Sequence, residues 1–156
     1  MRVYLVIVDE TDEARVALRF ATRRAIKTQG QVHILALVPP QPFSAFGGIQ
    51  ATIEEEARAR AETIAAAAAG SVLSQAGHMP VIAVVAGEPV KAVREYLSQH
   101  SEVAALVLGA PAGAGASGTG QGPLIGHFTG AGLGALSCPL FIVPGGMDEA
   151  EIDRLS

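Results

Sequence analysis

The sequence predicts an α/β fold, a single-domain three-layer α/β/α sandwich built on a five-stranded parallel sheet. Five short apolar runs alternate with longer segments of helical periodicity, a pattern typical of parallel sheets covered by helices on both faces. The chain has 156 residues, enough for one domain with a full-sized core. Apolar residues make up 49% and charged residues 17%, a composition that argues against a disordered chain.

The first strand is predicted over residues 3–8, a continuous apolar run of the kind that is buried on both faces of a sheet. Thr11 follows as a predicted helix N-cap, with two acidic residues in the first turn that suit the helix dipole. Basic residues and Gly30 mark the end of this helix. The second strand is predicted over residues 32–38, closed by two prolines.

The second helix is predicted over residues 50–75, because apolar residues recur there every three or four positions along one face. The third strand is predicted over residues 81–85. Pro89 then begins a third helix, at a position where its missing N–H costs no hydrogen bond.

The last third of the chain is unusual in composition. Residues 103–147 contain none of the 26 Asp, Glu, Lys and Arg residues, and ten of the 18 glycines lie between positions 109 and 134. This segment predicts a fourth strand over residues 103–108, a weak helix over 124–136 and a last strand over 140–143.

Three glycines of the predicted weak helix are four residues apart, at positions 126, 130 and 134. Each costs about 1 kcal/mol in a helix relative to alanine, so we expect close packing against the sheet or a second chain to offset that cost. We place the domain at residues 1–145 and a polar C-terminal tail at 146–156, which we expect to be loosely ordered.

Charge and cysteine content argue against several functions. A net charge of −4 argues against a nucleic-acid partner bound through a basic surface. The single cysteine, Cys138, excludes an internal disulfide and a multi-cysteine metal site, so we predict no metal. The N-terminus lacks a signal-peptide pattern, and the charge-free segment is too rich in glycine for a membrane span, so we expect a cytoplasmic protein.

Catalytic motifs are also missing from the sequence. Cys138 precedes Pro139 at the start of a buried strand, which favours an inert thiol over a nucleophile. We find no serine elbow, HExxH or paired-carboxylate motif, so we predict a protein that is not an enzyme. A weak nucleotide hydrolase that uses Asp9 or Glu10 remains a lesser alternative.

Three motifs in order resemble the universal stress protein family: VIVDETDEARVAL, VVAGEPVKAVREYLSQHSEVAALVLGA and ALSCPLFIVPG. The resemblance covers about residues 2–145. It implies the adenine nucleotide alpha hydrolase-like fold, with strand order 3-2-1-4-5 and a ligand crevice between strands 1 and 4. It also implies a homodimer that pairs through the last strand.

The resemblance further implies which residues hold a nucleoside. Asp9 and Val38, at the ends of strands one and two, match the family's nucleoside contacts, and Thr11 matches the small hydroxyl residue before the first helix. Asp9 has a second role open to it from its position alone, which is to support the start of the first helix.

Phosphate groups in the family lie on a loop of pattern Gly-x2-Gly-x9-Gly-Ser/Thr. The corresponding residues here are Gly109, Gly113, Gly126, His127 and Thr129. Gly113 stands one position late, twelve residues separate it from Gly126, and His127 replaces the hydroxyl residue. The segment contains no Lys or Arg, although Ser117 and Thr119 are further candidate donors.

Two functions of different classes follow. The leading hypothesis is a non-catalytic domain of the stress response that binds ATP or another adenine nucleotide, ADP or AMP, in a modified site. The alternative is a nucleotide-independent dimeric interaction module, which the missing hydroxyl and the missing basic residues favour.

Overall fold

The computed structural model describes residues 1–41, 47–113 and 121–156, so Ser117 and Thr119 lie outside the described residues. The strands are β1 Val3–Val8, β2 Gln31–Val38, β3 Val81–Ala86, β4 Val103–Ala110 and β5 Leu140–Pro144. The helices are α1 Asp12–Thr28, α2 Gly47–Ala76, α3 Pro89–Gln99, α4 Gly122–Thr129 and α5 Glu149–Leu155. A short 3-10 turn spans Leu133–Ala135.

The five strands form one parallel sheet in the order β3-β2-β1-β4-β5, which confirms the predicted fold class and topology. The strand order reverses between β1 and β4. All six residues of β1 are buried, as expected for the central strand of a sheet covered on both faces. The reversal matters because parallel sheets bind ligands where their strand order changes direction.

A hydrophobic core lies on each side of the sheet. Helices α1 and α2 cover one face, where a run of small residues on α2 packs against β1 and β2: Ala57, Ala61, Ala65, Ala68 and Ala69. The other face packs against α3 and α4, with Val93, Leu97, Leu124 and Phe128 in the core. The two cores make the three-layer sandwich that the sequence predicts.

Helix α1 begins and ends as expected. Thr11 is its N-cap, and the hydroxyl oxygen of Thr11 accepts a hydrogen bond from the Ala14 amide at 3.3 Å. At the other end Gln29 adopts the left-handed conformation with a φ of 54°, and the Gly30 amide donates to Ala25. These contacts place the acidic first turn of α1 directly after the end of β1.

The prediction of one helix over residues 124–136 is wrong. Helix α4 ends at Thr129, and the carbonyl of His127 accepts hydrogen bonds from the amides of Gly130 and Gly132. The glycine at 130 has a ψ of −124°, which no helix contains, so it ends α4 instead of continuing it. A Cβ at Gly126 or Gly134 would meet no atom within 4 Å. Of the two partners expected for these glycines, the sheet therefore does not pack closely against them, and packing against a second chain stays a prediction.

The expectation of a loosely ordered tail is also wrong. Asp148 caps helix α5 by accepting from the Glu151 amide at 2.8 Å, and Ile152 is buried. Asp153 accepts hydrogen bonds from the Arg19 guanidinium at 2.8 and 2.9 Å and from Arg23 at 3.1 Å. These ion pairs bind the polar tail to α1.

Candidate functional site

A cavity of about 480 Å³ opens at the carboxyl ends of β1 and β2. Helix α2 forms one wall, and the first turns of α3 and α4 form part of the rim. Its volume lies in the range of small-molecule sites. The position matches the general rule that ligands of parallel sheets bind beyond the carboxyl ends of the strands.

The walls of this cavity are mostly apolar. Ala57, Ala61 and Ile64 line it from α2, while Ile7 and Leu37 line it from the sheet. Small alanines on α2 leave space above the ends of the strands that larger side chains would fill. The walls therefore suit a flat, uncharged group such as a heterocyclic ring.

Asp9 and Thr11 line the cavity and contact each other. Oδ1 of Asp9 accepts hydrogen bonds from the backbone amide of Thr11, at 2.8 Å, and from the Thr11 hydroxyl. The second carboxylate oxygen of Asp9 has no hydrogen-bond partner among the described residues. Asp9 thus supports the capping residue of α1 and still offers an acceptor, so its two predicted roles are compatible.

Arg60 is a cavity residue that the sequence-based predictions omit. It is exposed and makes no ion pair within the described parts of the chain. Helical spacing along α2 could have predicted this position. Arg60 lies three residues after Ala57 and four before Ile64, so it stands beside the apolar stripe of the helix. It brings positive charge to a crevice whose own loop has none.

Gln121 is a second residue that the sequence-based predictions omit. Its side chain is fully buried, its Nε2 donates to the Ile7 carbonyl and its Oε1 accepts from the Gly109 amide at 2.6 Å. The only signal in the sequence is a polar residue directly before the Gly-Pro start of α4. Gln121 therefore connects the carboxyl ends of β1 and β4.

Gly109 is buried in packing instead of lying on the cavity wall. A Cβ at this position would lie 2.5 Å from the carbonyl carbon of Glu13 and closer still to the carbonyl oxygen. The first turn of α1 therefore requires glycine at this end of β4. The amide of Gly109 is bonded to Gln121. Both the need for glycine at this position and the engagement of its amide therefore have a structural cause within the chain.

Val38 lies beside the cavity and not on its wall. Its side chain is buried in the core under α2, and its carbonyl accepts from the Gly87 amide at 3.0 Å. The residues on either side, Leu37 and Pro39, line the cavity. Gly113 has a φ of 92° and open space around it, at the edge of the described residues.

The candidate phosphate residues on α4 lie beyond the part of this helix that lines the cavity, which is Pro123 and Leu124. Gly126 is exposed, and the hydroxyl of Thr129 donates to the Ile125 carbonyl at 2.6 Å. The ring of His127 packs at Gly132, and its Nε2 is buried without a hydrogen-bond partner among the described residues. The structure thus brings Asp9 and Thr11 together at the cavity, and not the α4 residues.

Other chemistry in the described residues is sparse. Burial raises the pKa of the Cys138 thiol, although a hydrogen bond from the Leu106 backbone acts in the opposite direction. No group of three or more His, Cys, Asp or Glu residues in the described ranges is placed to hold a metal ion. Among the helices described, none combines the length and the apolar character that crossing a membrane requires.

Comparisons with known proteins agree with this fold. The family model described as Universal stress protein family matches residues 1–144. The universal stress protein UspA from Lactobacillus plantarum superposes with a TM-score of 0.71 and 20% identity, covering 91% of this chain and 97% of that chain. The comparison with curated proteins gave no match.

Two further solved structures of similar fold are complexes with a nucleotide. The universal stress protein from Archaeoglobus fulgidus in complex with dAMP has a TM-score of 0.58 and 16% identity, over 92% of this chain and 98% of that chain. A universal stress protein family protein from Arabidopsis thaliana with AMP bound has a TM-score of 0.56 and 12% identity, over 92% of each chain.

Proposed function

Because the chain belongs to the universal stress protein family, we propose that it is a non-catalytic binding protein of the stress response that takes an adenine nucleotide. The observation that carries the proposal is the cavity of about 480 Å³ at the ends of β1 and β2, with apolar walls and with Asp9 and Arg60 among its polar residues. The proteins of similar fold that hold dAMP and AMP support it.

Each part of a nucleotide has a matching group in this cavity. The base would pack against Ala61 and Ile64, an apolar surface that favours a flat ring. The free carboxylate oxygen of Asp9 would accept a hydrogen bond from a ribose hydroxyl, and charge-assisted bonds of this kind contribute about 1.5–3 kcal/mol when buried. Arg60 would pair with a phosphate, more weakly because it is exposed to solvent.

The experiment is calorimetric titration of AMP into the wild-type chain, Arg60→Ala and Arg58→Ala. Both arginines are exposed on α2, but Arg58 does not line the cavity, so it is the matched control. We expect Arg60→Ala to weaken AMP binding about fivefold, with adenosine and the Arg58→Ala variant unaffected. If the wild-type chain gives no binding heat with millimolar AMP, the nucleotide function is rejected.

We also propose a homodimer that pairs through β5, the edge strand beside β4. Ile142 on β5 is 38% exposed, and Leu133 in the 3-10 turn that precedes β5 in the chain is 50% exposed, so a partner would cover apolar surface there. Light scattering would measure a dimer mass that Ile142→Glu reduces to a monomer mass. Met79→Glu, beside the opposite edge strand β3, would leave the dimer intact. A wild-type monomer at high protein concentration would contradict the proposal.

The nucleotide-independent interaction module is the second candidate function. The occupied Gly109 amide favours it, because a backbone group at the end of β4 is already bonded within the chain. This candidate predicts a dimer with no binding heat for any adenine nucleotide, and the titration above therefore separates the two functions.

A further inference from the structure

We infer that Gln121 seals the crevice between β1 and β4, because its side chain bonds to the backbone of both strands. As a result, the adjoining cavity binds nucleosides and nucleoside monophosphates in preference to nucleoside triphosphates. The inference rests on the proposed function, because it assumes that the cavity beside this seal takes an adenine compound.

Strands β1 and β4 diverge at their carboxyl ends. The ladder between β1 and β4 ends at the pair Val6 and Val107, whereas β1 stays paired with β2 as far as Val8. The carbonyl of Ile7 and the amide of Gly109 lie beyond the last pair of the β1–β4 ladder. Backbone groups that diverging strands leave unpaired at a switch point are available to a ligand.

The side chain of Gln121 bonds to both the Ile7 carbonyl and the Gly109 amide. The primary amide of Gln121 carries a donor and an acceptor, and it bonds to Ile7 with one and to Gly109 with the other. The side chain has no solvent exposure, so both bonds are shielded from water. A phosphate oxygen would reach the Gly109 amide only if it displaced Gln121 and left the Ile7 carbonyl unpaired.

The charge of the cavity lining also disfavours a triphosphate. Among the described residues that line this cavity, Asp9 and Glu10 oppose one cation, Arg60, and Pro123 in the first turn of α4 contributes no N–H. One guanidinium suits one phosphate group. A triphosphate would bring further negative charge toward two carboxylates without a backbone amide from β4 to receive it, and Coulomb repulsion disfavours that arrangement.

The experiment compares adenosine, AMP and ATP by calorimetry on the wild-type chain and on Gln121→Ala. For the wild-type chain we expect dissociation constants of adenosine and AMP within about fivefold of each other, and ATP at least about tenfold weaker than AMP. In Gln121→Ala the Gly109 amide is released, so the ratio of the ATP dissociation constant to the AMP dissociation constant is expected to fall by about fivefold or more. Wild-type binding of ATP as tight as that of AMP would overturn the inference.

A second measurement on the wild-type chain keeps the inference testable if Gln121→Ala does not fold. The backbone amide signal of Gly109 in nitrogen-15 NMR is expected to be protected from hydrogen exchange and unchanged by saturating AMP. A downfield shift of that signal on adding ATP would show a phosphate on the amide and would refute the seal.

Failure of the inference is distinguishable from failure of the proposed function. If the wild-type chain binds none of the three compounds, the proposed function is rejected. The inference is then tested by whether folded Gln121→Ala binds ATP. ATP binding gained by folded Gln121→Ala would then support the seal. If the folded variant also binds nothing, the inference is overturned as well.

Discussion

Replacing Gly109 with alanine is expected to lower the free energy of unfolding by about 2 kcal/mol. Gly109 lies at the end of β4 under the first turn of α1. The added Cβ would stand 2.5 Å from the carbonyl carbon of Glu13 and 3.0 Å from its Cβ. Ordinary van der Waals contact begins near 3.4 Å, so the two backbones would have to separate by roughly 1 Å.

The magnitude follows from two opposing effects. Overpacking a well-packed site costs about 1–3 kcal/mol, and the upper end applies because the Glu13 backbone cannot rotate away as a side chain would. Alanine also removes conformational freedom from the unfolded chain, which stabilises the fold by about 0.4–1 kcal/mol. The difference leaves the variant less stable by about 2 kcal/mol.

The assay is equilibrium urea unfolding followed by circular dichroism, with the midpoint and slope compared between variants. Gly126→Ala is the matched control, because it lies inside α4 with no atom within 4 Å of the added Cβ. It is expected to raise stability by up to about 1 kcal/mol through helix propensity. A Gly109→Ala variant as stable as the wild-type chain would refute the packing explanation for this glycine.

Three further predictions concern stability and reactivity. Thr11→Ala should lower the free energy of unfolding in urea by about 1 kcal/mol, because α1 loses its N-cap. Thr52→Ala in the exposed part of α2 should not lower it, and equal losses in the two variants would contradict the capping role. Burial lowers the pKa of His33, so the unfolded chain binds more protons and stability should fall as pH drops below about 6.5. Thermal unfolding at several pH values would measure this: His33→Leu should flatten the dependence of Tm on pH, and the exposed-residue control His78→Gln should not. An unchanged dependence in His33→Leu would contradict the role of His33. Cys138 should react faster with a thiol reagent after unfolding in urea, because burial in the folded chain raises the pKa of its thiol; equal rates would contradict this.

The fold is predictable because its signals are local and repeated. Five apolar runs, the Thr11 cap and the proline at the start of α3 each mark an element within a few residues. The two wrong predictions have different causes: helix α4 is ended locally by the backbone of Gly130, whereas the order of the tail depends on distant partners. The tail looks polar and loose until Asp153 meets Arg19 and Arg23, about 130 residues earlier in the chain.

The site is only partly predictable, because some of its contacts join residues that are far apart in the sequence. Asp9 and Thr11 are two residues apart and follow a buried strand, so their place at the crevice can be inferred from the sequence. Arg60 reaches the cavity through the packing of α2 on the sheet. Gln121 bonds to a carbonyl 114 residues away, and no spacing rule predicts such a contact.

A crystal structure of the protein grown with AMP in excess tests the central claim most directly. We predict AMP in the cavity above the ends of β1 and β2, with its base against Ala61 and Ile64 and its ribose within hydrogen-bond distance of Asp9. Gln121 would keep its bonds to Ile7 and Gly109 in that complex. An empty cavity, or AMP bound elsewhere on the molecule, would contradict the claim.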